Sequence, residues 1–226
     1  MSKAVVLLSG GLDSSTCLAI ALKENQEVYC LSFHYGQRHD RELKQALEVR
    51  KYFGIPDDHH ILVDLDFWSK VGGSALVDKN AELPENREYE EMVNIPPTYV
   101  PARNVVFLSY ALGLAEIYGL DRIYIGVNSM DYSGYPDCRP EFIKAFQHVI
   151  DLITGGKVYI STPLQFLRKS EIVKLAVENG VPIHLTTSCY KGGEKACGVC
   201  DSCRLRLKGF KEAGLDDPIE YEVKEV

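Results

Sequence analysis

The stretch KAVVLLSGGLDSS, from Lys3 to Ser15, decides the fold. Its apolar half runs unbroken from Ala4 to Leu8, which is typical of a strand buried on both faces of a parallel sheet. Gly10 and Gly11 then allow a sharp backbone turn that leaves room for a ligand, and a helical pattern follows. Ser and Asp at a helix start cap free N–H groups, and this end of a helix attracts anions. The stretch therefore predicts a strand, a glycine turn and a helix that together hold phosphate.

The string S-G-G-x-D-S at Ser9–Ser14 adds two hydroxyls and a carboxylate to the glycine turn. Hydroxyls bind phosphate oxygens, and a carboxylate suits Mg²⁺, which prefers oxygen ligands. The string is not the G-x-x-x-x-G-K-[ST] loop, because no lysine closes it. At this point a plain strand–turn–helix, in which glycine turns and serine caps, remains open.

Length and composition limit the class of protein. The chain has 226 residues, a net charge of -7, 46% hydrophobic and 25% charged residues, and seven cysteines, which fits one α/β domain with a small appendage. The negative charge disfavours a broad nucleic-acid footprint. The chain has neither a leader-like start nor an apolar run near 18 residues, so we expect a cytoplasmic protein without a membrane segment.

The hydrophobic pattern alternates between strand and helix periods. It predicts strands at Ala4–Leu8, Glu27–Phe33, His60–Asp64, Arg122–Val127 and Val158–Ile160, and helices at Thr16–Lys23, Arg38–Phe53, Arg103–Tyr118, Pro140–Ile153, Ser170–Asn179 and Ser202–Ala213. This order predicts a doubly wound α/β fold with a mainly five-stranded parallel sheet. We expect residues 1–180 to form the nucleotide-binding domain, with 71–101 as a lid or dimer contact, and residues 181–226 to form a C-terminal appendage.

Three polar loops follow predicted strands one, two and four. They are Ser9–Ser14, His34–Arg38 and Asn128–Arg139. If strands one and four are neighbours, these loops meet at the sheet edge where strand order reverses, and ligands bind there in open parallel sheets. The alternative is that the loops are polar only because they are exposed.

Four of the cysteines form a C-x₇-C-x₂-C-x₂-C pattern. They are Cys189, Cys197, Cys200 and Cys203. Four thiolates this close suit a tetrahedral zinc ion with a structural role, since no coordination position stays open. The rival is an iron–sulfur cluster, although no Cys-Pro follows as in the ferredoxin run. Cys17 and Cys30, inside a helix and a strand, fit buried thiols.

The chain resembles the PP-loop ATP pyrophosphatases, which have an adenine nucleotide alpha hydrolase-like fold, through SGGLDS at Ser9–Ser14. Within that superfamily it resembles the 7-cyano-7-deazaguanine synthase family of queuosine precursor biosynthesis. The motifs are FHYGQRHDRE (Phe33–Glu42), PARN (Pro101–Asn104), GYPDCRPEF (Gly134–Phe142), TPL (Thr162–Leu164) leading to Lys169–Ile172, and SCY…CGVCDSC (Ser188–Cys203). They span nearly the whole chain, and GYPDCR and the cysteine pattern are more specific than the first loop.

The resemblance implies a ligase that forms a carbon–nitrogen bond. It would use ATP and ammonia to convert 7-carboxy-7-deazaguanine to the nitrile, through an adenylated acid and an adenylated amide, with release of AMP and pyrophosphate. It also implies magnesium with ATP, one structural zinc ion per chain and a homodimer. Ammonia would come free or from a partner.

The resemblance also assigns roles to residues. The predicted nucleotide-binding residues are Leu8, Ser9, Gly10, Gly11, Leu12, Asp13, Ser14, Ser15 and His34. Asp13 would partner Mg²⁺, and Lys169 and Arg103 would neutralise phosphate charge. Asp137 suits the paired N–H donors of a guanine-like edge, Arg139 suits the carboxylate, and Tyr135 would stack on the base. A covalent role for Cys138 is disfavoured, since no His adjoins it.

Two other functions remain open. One is a PP-loop tRNA-modifying sulfurtransferase, which would need catalytic thiols and a basic face that the net charge of -7 fits poorly. The other is a zinc-containing nucleotide-binding module without catalysis, against which the carboxylate in the phosphate loop argues.

Overall fold

The computed structural model describes residues 2–38, 41–78, 80–87, 94–130 and 134–224. In chain order the elements are β1 (Lys3–Leu7), α1 (Leu12–Glu24), β2 (Glu27–His34), α2 (Arg41–Tyr52), β3 (His60–Asp64), α3 (Phe67–Val71), α4 (Arg103–Tyr118), β4 (Arg122–Tyr124), α5 (Pro140–Thr154), β5 (Tyr159–Ser161), α6 (Lys169–Glu178) and α7 (Asp201–Ala213). Within the described ranges no helix is long and apolar enough to cross a membrane.

The five strands form one parallel sheet in the order β3-β2-β1-β4-β5, which confirms the predicted fold. Val6 in the central strand pairs with Cys30 of β2 on one side and Tyr124 of β4 on the other. The chain moves outward from β1 to β3, returns to the other side for β4, and moves outward again. Strand order therefore reverses between β1 and β4, where open α/β sheets bind their ligands.

Alternate residues of β1 enter two different cores because successive side chains of a strand point to opposite faces. Ala4 and Val6 pack in the core that also contains residues of α1, α6 and α7. Val5 and Leu7 pack in the core that contains residues of α4 and α5. Helices thus cover both faces of the sheet, as a doubly wound fold requires.

The element boundaries differ from prediction in two places that affect the site. Helix α1 begins at Leu12 rather than Thr16, because Gly11 is its N-cap and the second half of the serine–glycine string already forms the first turn. Strand β4 ends at Tyr124 rather than Val127. Beyond it, at Gly126, the chain passes close to Asp13 in the predicted phosphate loop, Ser9–Ser14. The short helix α3 had no periodic signal in the sequence.

The segment 71–101 packs on its own chain where it is described; residue 79 and residues 88–93 lie outside the described ranges. Arg38 Nε donates to Ala75 O at 2.7 Å, and Leu76 and Val77 are buried in the α4–α5 core. Further along, the Asn86 N–H donates to Val199 O at 2.9 Å beside the cysteines. The predicted choice between a lid and a dimer contact stays a prediction, as do the proposed domain limits.

Candidate active site

The phosphate loop is held by hydroxyl groups within the loop. Ser9 N–H donates to Ser14 Oγ at 3.2 Å, and the two hydroxyls lie 3.0 Å apart. The Ser15 hydroxyl donates to Gly11 O at 2.8 Å. The predicted capping of the helix by Ser or Asp side chains is wrong, since Gly11 caps α1 without a side-chain hydrogen bond. The N-terminus of α1 therefore faces the loop without a side-chain cap, an arrangement that favours an anion.

Two glycines permit close packing around this loop. Gly10 has a positive φ of 81°, and a Cβ there would lie 2.4 Å from Glu42 O and 2.5 Å from Ala46 N, both backbone atoms of α2. A Cβ on Gly126 would lie 3.1 Å from Asp13 C on the opposite side. The loop is thus clamped between α2 and the chain after β4, where only glycine fits.

Lys169, the first residue of α6, joins Asp13, in the first turn of α1. Its Nζ lies 2.8 Å and 2.7 Å from the two carboxylate oxygens of Asp13. The pair is mostly enclosed, with side-chain exposures of 16% for Lys169 and 26% for Asp13. The fold thus pairs a cation and an anion that are 156 residues apart in sequence, at the start of α1.

A cavity of about 310 Å³ extends from this pair across the carboxyl ends of the strands. We call the part lined by Ser9–Ser14 and Lys169 the phosphate end. We call the part lined by Tyr35, Glu42, Arg103, Tyr135 and Cys138 the substrate end. Arg103 Nη1 donates to Tyr35 Oη at 3.2 Å, and its guanidinium lies 5.8 Å from the centre of that ring. A guanidinium whose hydrogen bond goes to a neutral phenol can still counter the charge of an anionic ligand.

Glu42 is an acidic side chain that lines the substrate end, and it was not predicted as a site residue from the sequence. Burial raises the pKa of Glu42 to about 7, while the charge of Arg103 opposes that shift. Glu42 closes the motif that begins at Phe33, and helical periodicity alone did not separate it from its surface neighbours. Burial also raises the pKa of the Cys138 thiol to about 12, helped by the charge of Asp137. A neutral thiol is a weak nucleophile, which agrees with the expectation that Cys138 has no covalent role.

The predicted nucleotide-binding and catalytic residues, with Tyr135, fall into three groups by position. Those that line the cavity are Leu8, Ser9, Gly11, Leu12, Asp13, Ser14, Arg103, Tyr135 and Lys169. Gly10 and Ser15 support the loop from behind, and Ser15 is fully buried. His34 lies apart from the cavity lining, with Nδ1 at 2.9 Å from Asp64 Oδ1.

Asp137 and Arg139 do not line the cavity. Asp137 is buried and its Oδ2 accepts a hydrogen bond at 3.0 Å from the Asn104 N–H in the first turn of α4. Arg139 is exposed and precedes α5 as its N-cap. Tyr135 does line the cavity, and its hydroxyl lies 2.9 Å from Thr98 Oγ1. Residues 131–133 of the same predicted loop lie outside the described ranges, and the assignments of Asp137 and Arg139 stay predictions.

The start of the phosphate loop is braced from the sheet. Ser32 Oγ donates to Leu8 O at 2.6 Å, and His60 Nε2 lies 2.8 Å from the same hydroxyl. Because the hydroxyl hydrogen goes to Leu8, the His60 ring donates to it through a protonated Nε2. Desolvation and the charge of Arg50 lower the pKa of His60 to about 4, so the ring is neutral at pH 7.

The four predicted metal ligands converge. The sulfurs of Cys189, Cys197, Cys200 and Cys203 all lie within 4.8 Å of one another and are buried. Cys197 Sγ and Cys203 Sγ are 3.9 Å apart, close to the ~3.8 Å expected between two ligands of a tetrahedral ion with Zn–S bonds of ~2.3 Å.

The surroundings of the sulfurs also fit a cation. Backbone N–H groups of Cys197 and Cys200 donate to Cys189 Sγ at 3.3 Å and to Cys197 Sγ at 3.4 Å. Hydrogen bonds with the other three thiols lower the pKa of Cys189, whereas hydrogen bonds with Cys189 and Cys197 raise the pKa of Cys200 and Cys203. Since four ionised thiols repel one another, a metal ion is required for all of them to act as thiolates.

The doubly wound sheet, the phosphate loop and the cavity at the strand switch point define a nucleotide-binding α/β protein of the PP-loop class. The model of the family described as Queuosine biosynthesis protein QueC matches residues 3–214. The chain belongs to this family.

Similar proteins carry the name of that family's enzyme, and a solved structure shares the fold. The chain is 60% identical over 226 residues, covering 98% of both chains, to a 7-cyano-7-deazaguanine synthase of Acetivibrio thermocellus. It is 52% identical over 221 residues to one of Oceanobacillus iheyensis, covering 97% of this chain and 98% of that protein. An NMN synthetase from Francisella tularensis shares the fold, with a TM-score of 0.52 and 15% identity over 95% of this chain and 78% of that one.

Proposed function

We propose that the protein makes 7-cyano-7-deazaguanine from 7-carboxy-7-deazaguanine, ammonia and ATP in queuosine biosynthesis. The observation that carries the proposal is a single cavity in which the Asp13–Lys169 pair and the N-terminus of α1 lie at one end and Arg103 at the other. A reaction between a triphosphate and a second anionic substrate needs both ends. The name shared by the relatives gives the product, a nitrile, and the second substrate that we propose is the corresponding carboxylic acid.

The phosphate end would hold the β- and γ-phosphates of ATP. The loop Ser9–Ser14 supplies hydroxyls and the positive end of α1, and Lys169 adds a full charge. Asp13 is the residue that would hold Mg²⁺, which would neutralise phosphate charge when bound. The ammonium of Lys169 lies 2.7 Å from a carboxylate oxygen of Asp13, so this carboxylate already pairs with a cation.

The substrate end would hold the deazaguanine acid. We propose that Arg103 pairs with its carboxylate and turns it toward the α-phosphate, since charge-assisted hydrogen bonds from guanidinium fix carboxylate geometry. Tyr135 offers a ring for the base. The assignments of Asp137 to the base edge and Arg139 to the carboxylate, implied by family resemblance, are rivals that variants can test against this arrangement.

The chemistry removes two oxygens from one carbon. A carboxylate oxygen attacks the α-phosphorus of ATP and pyrophosphate leaves; ammonia then displaces AMP and, after loss of a proton, leaves the amide. The amide oxygen then attacks the α-phosphorus of a second ATP, pyrophosphate leaves, and one N–H proton is lost. Loss of AMP and the remaining N–H proton gives the nitrile. Positioning and charge stabilisation are the main tasks of the protein in such phosphoryl chemistry.

We further propose that the four-cysteine site binds zinc, that the protein is a cytoplasmic homodimer, and that it acts on small molecules rather than nucleic acid. Closed four-thiolate coordination and the spacing of the sulfurs support zinc, and the net charge of -7 supports a small-molecule substrate.

Incubation with 7-carboxy-7-deazaguanine, ATP, Mg²⁺ and ammonium tests the proposal. Mass spectrometry should detect the nitrile, and without the acid the release of AMP should fall to background. Folded, metal-loaded protein that makes no nitrile would refute the proposal. Iron in the metal analysis with tight tRNA binding at moderate salt would favour the sulfurtransferase instead.

A further inference from the structure

Helix α7 contains a glycine in its interior, where glycine lowers the stability of a helix. Gly209 lies in the ninth position of the thirteen-residue helix Asp201–Ala213 and is buried. Glycine is the least favourable residue in a helix interior apart from proline, because it loses the most backbone freedom on folding. Its presence inside α7 therefore calls for a packing reason.

The reason is the side chain of Lys169. A Cβ on Gly209 would lie 2.3 Å from Lys169 Cγ, 2.9 Å from Lys169 Cβ and 3.1 Å from its backbone carbon. Gly113, in the interior of α4, is the opposite case, since a Cβ there would meet no atom within 4 Å. The stem of Lys169 thus occupies the space that a side chain at position 209 would fill, and from there it extends to Asp13.

Neither side of this contact can move away freely. Lys169 begins α6, where the Arg168 N–H donates to Glu171 Oε2 at 2.7 Å in a capping box. On α7, three residues before Gly209, the buried Arg206 donates to both oxygens of Asp217 at 2.7 Å and 3.0 Å and to Thr186 Oγ1 at 2.8 Å. An added methyl group would therefore be accommodated mainly by the flexible stem of the lysine.

We propose that Gly209 is a positioning residue for Lys169. Because Gly209 has no side chain, the stem of Lys169 can take the path that places its ammonium against Asp13 at the phosphate end. The inference rests on the proposed role of Lys169 in binding phosphate. It links the C-terminal segment to the chemistry, since α7 starts at the cysteine cluster and contributes one wall around the lysine.

The test is the Gly209→Ala variant, with Gly113→Ala as a matched control. Since a displacement of about 1 Å in a positioned group costs up to ~10²-fold in rate, we expect Gly209→Ala to lower the rate of AMP formation about ten- to hundredfold. Its metal content should equal that of the unchanged protein. Gly113→Ala should keep the full rate and raise the melting temperature, because alanine favours the helix and finds open space.

A double-mutant cycle separates positioning from general damage. Lys169→Gly removes both side-chain atoms of the clash, Cγ at 2.3 Å and Cβ at 2.9 Å, so adding Gly209→Ala to it should cost no further activity. If Gly209→Ala lowers the rate by the same factor in both backgrounds, or has the full rate alone, the inference is overturned. A variant of Gly209 that folds poorly would have to regain its melting temperature in the Lys169→Gly background, and failure to do so would equally overturn it. Full activity of Lys169→Gly would instead refute the proposed role of Lys169.

Discussion

The two ends of the cavity are built in different ways. The phosphate end comes from one continuous stretch, Ser9–Ser14, and its contacts are largely backbone groups and hydroxyls within that stretch. From elsewhere in the chain, Lys169 joins Asp13, and Gly126 and Thr187 lie against the loop backbone. The substrate end is assembled from residues on three distant segments: Glu42 on α2, Arg103 on α4, and Tyr135 in the loop before α5.

This difference has a physical cause. A triphosphate presents the same oxygens in every enzyme, so a helix N-terminus and a glycine turn suffice to bind it, and both are local in sequence. A particular base and its carboxylate need groups placed around them in three dimensions, which a fold supplies from whatever loops meet at the switch point. The phosphate end should therefore tolerate little change, and the substrate end should control which acid reacts.

Loss of the metal site is expected to have the largest effect. Cys197→Ser should abolish metal binding and lower the free energy of unfolding by several kcal/mol, because metal-binding energy contributes directly to folding. Thr187, two residues before Cys189, donates its N–H to Gly10 O at 3.0 Å. Loss of the metal should therefore loosen the phosphate loop, and ATP binding should weaken more than acid binding. Metal analysis and calorimetry measure both.

Cys30→Ala is the control for that experiment, since Cys30 is a buried thiol outside the cluster. It should keep the metal and lose only packing energy. Equal weakening of ATP and acid binding in Cys197→Ser would show that the cysteine segment supports both ends of the cavity alike.

Removal of the Asp13 carboxylate should impair the phosphate end and leave the metal site unchanged. Asp13→Ala should reduce AMP formation about 10³-fold, roughly 4 kcal/mol of transition-state stabilisation, because it removes the proposed Mg²⁺ partner and leaves Lys169 without its carboxylate. Metal content should not change. Asp216→Ala, an exposed acid on the C-terminal tail, serves as control; loss of the metal in Asp13→Ala would mean that the two sites are not independent.

Arg103 tests the substrate end. Arg103→Met should raise the KM for the acid about 100-fold while the KM for ATP changes less than ~3-fold, since a buried charge pair costs ~2–5 kcal/mol when one partner is removed. Arg139→Met is the matched comparison and should have little effect, because Arg139 is exposed and outside the cavity lining. A larger effect at Arg139, or a KM effect confined to ATP at Arg103, would reverse these roles.

The smallest expected effect concerns His60, which contacts the Ser32 hydroxyl that supports the start of the phosphate loop. Its pKa is lowered to about 4 in the folded protein from an ordinary value of 6.5, so the unfolded chain takes up a proton first as the pH falls. Its contribution to stability is present above about pH 6.5 and is lost toward pH 4.

His60→Asn removes this proton uptake. Between about pH 7.5 and pH 5 the unchanged protein should therefore lose on the order of 2 kcal/mol of unfolding free energy relative to the variant. Urea denaturation of both proteins across that range measures the difference. A pH-independent difference would mean that His60 titrates normally in the fold.

Much of the fold followed from local patterns. The apolar run of β1, the alternating periods and the position of Gly10 predict the parallel sheet and the phosphate loop, since each depends on residues close in sequence. The order of the strands, with β4 beside β1, was only a condition at that point and comes from the structure. The cysteine cluster was predictable for the same reason, because all four sulfurs come from a span of fifteen residues.

The substrate end was only partly predictable. Through family resemblance Tyr135 was predicted for the base and Arg103 for phosphate charge; both line the cavity, where Arg103 lies beside Tyr35. Asp137 has the right chemistry for a base edge, but its carboxylate bonds to the first turn of α4, and sequence cannot tell an inward carboxylate from one that caps a helix. Glu42 was missed because its burial depends on how α2 packs against the loop at Gly10.

The stoichiometry of the reaction tests the central claim most directly. Metal-loaded protein supplied with 7-carboxy-7-deazaguanine, ammonium, ATP and Mg²⁺ should release two AMP and two pyrophosphate for each nitrile formed, since each oxygen leaves as part of one AMP. One AMP per product, with the amide as the final compound, or no AMP that depends on the acid, would contradict it.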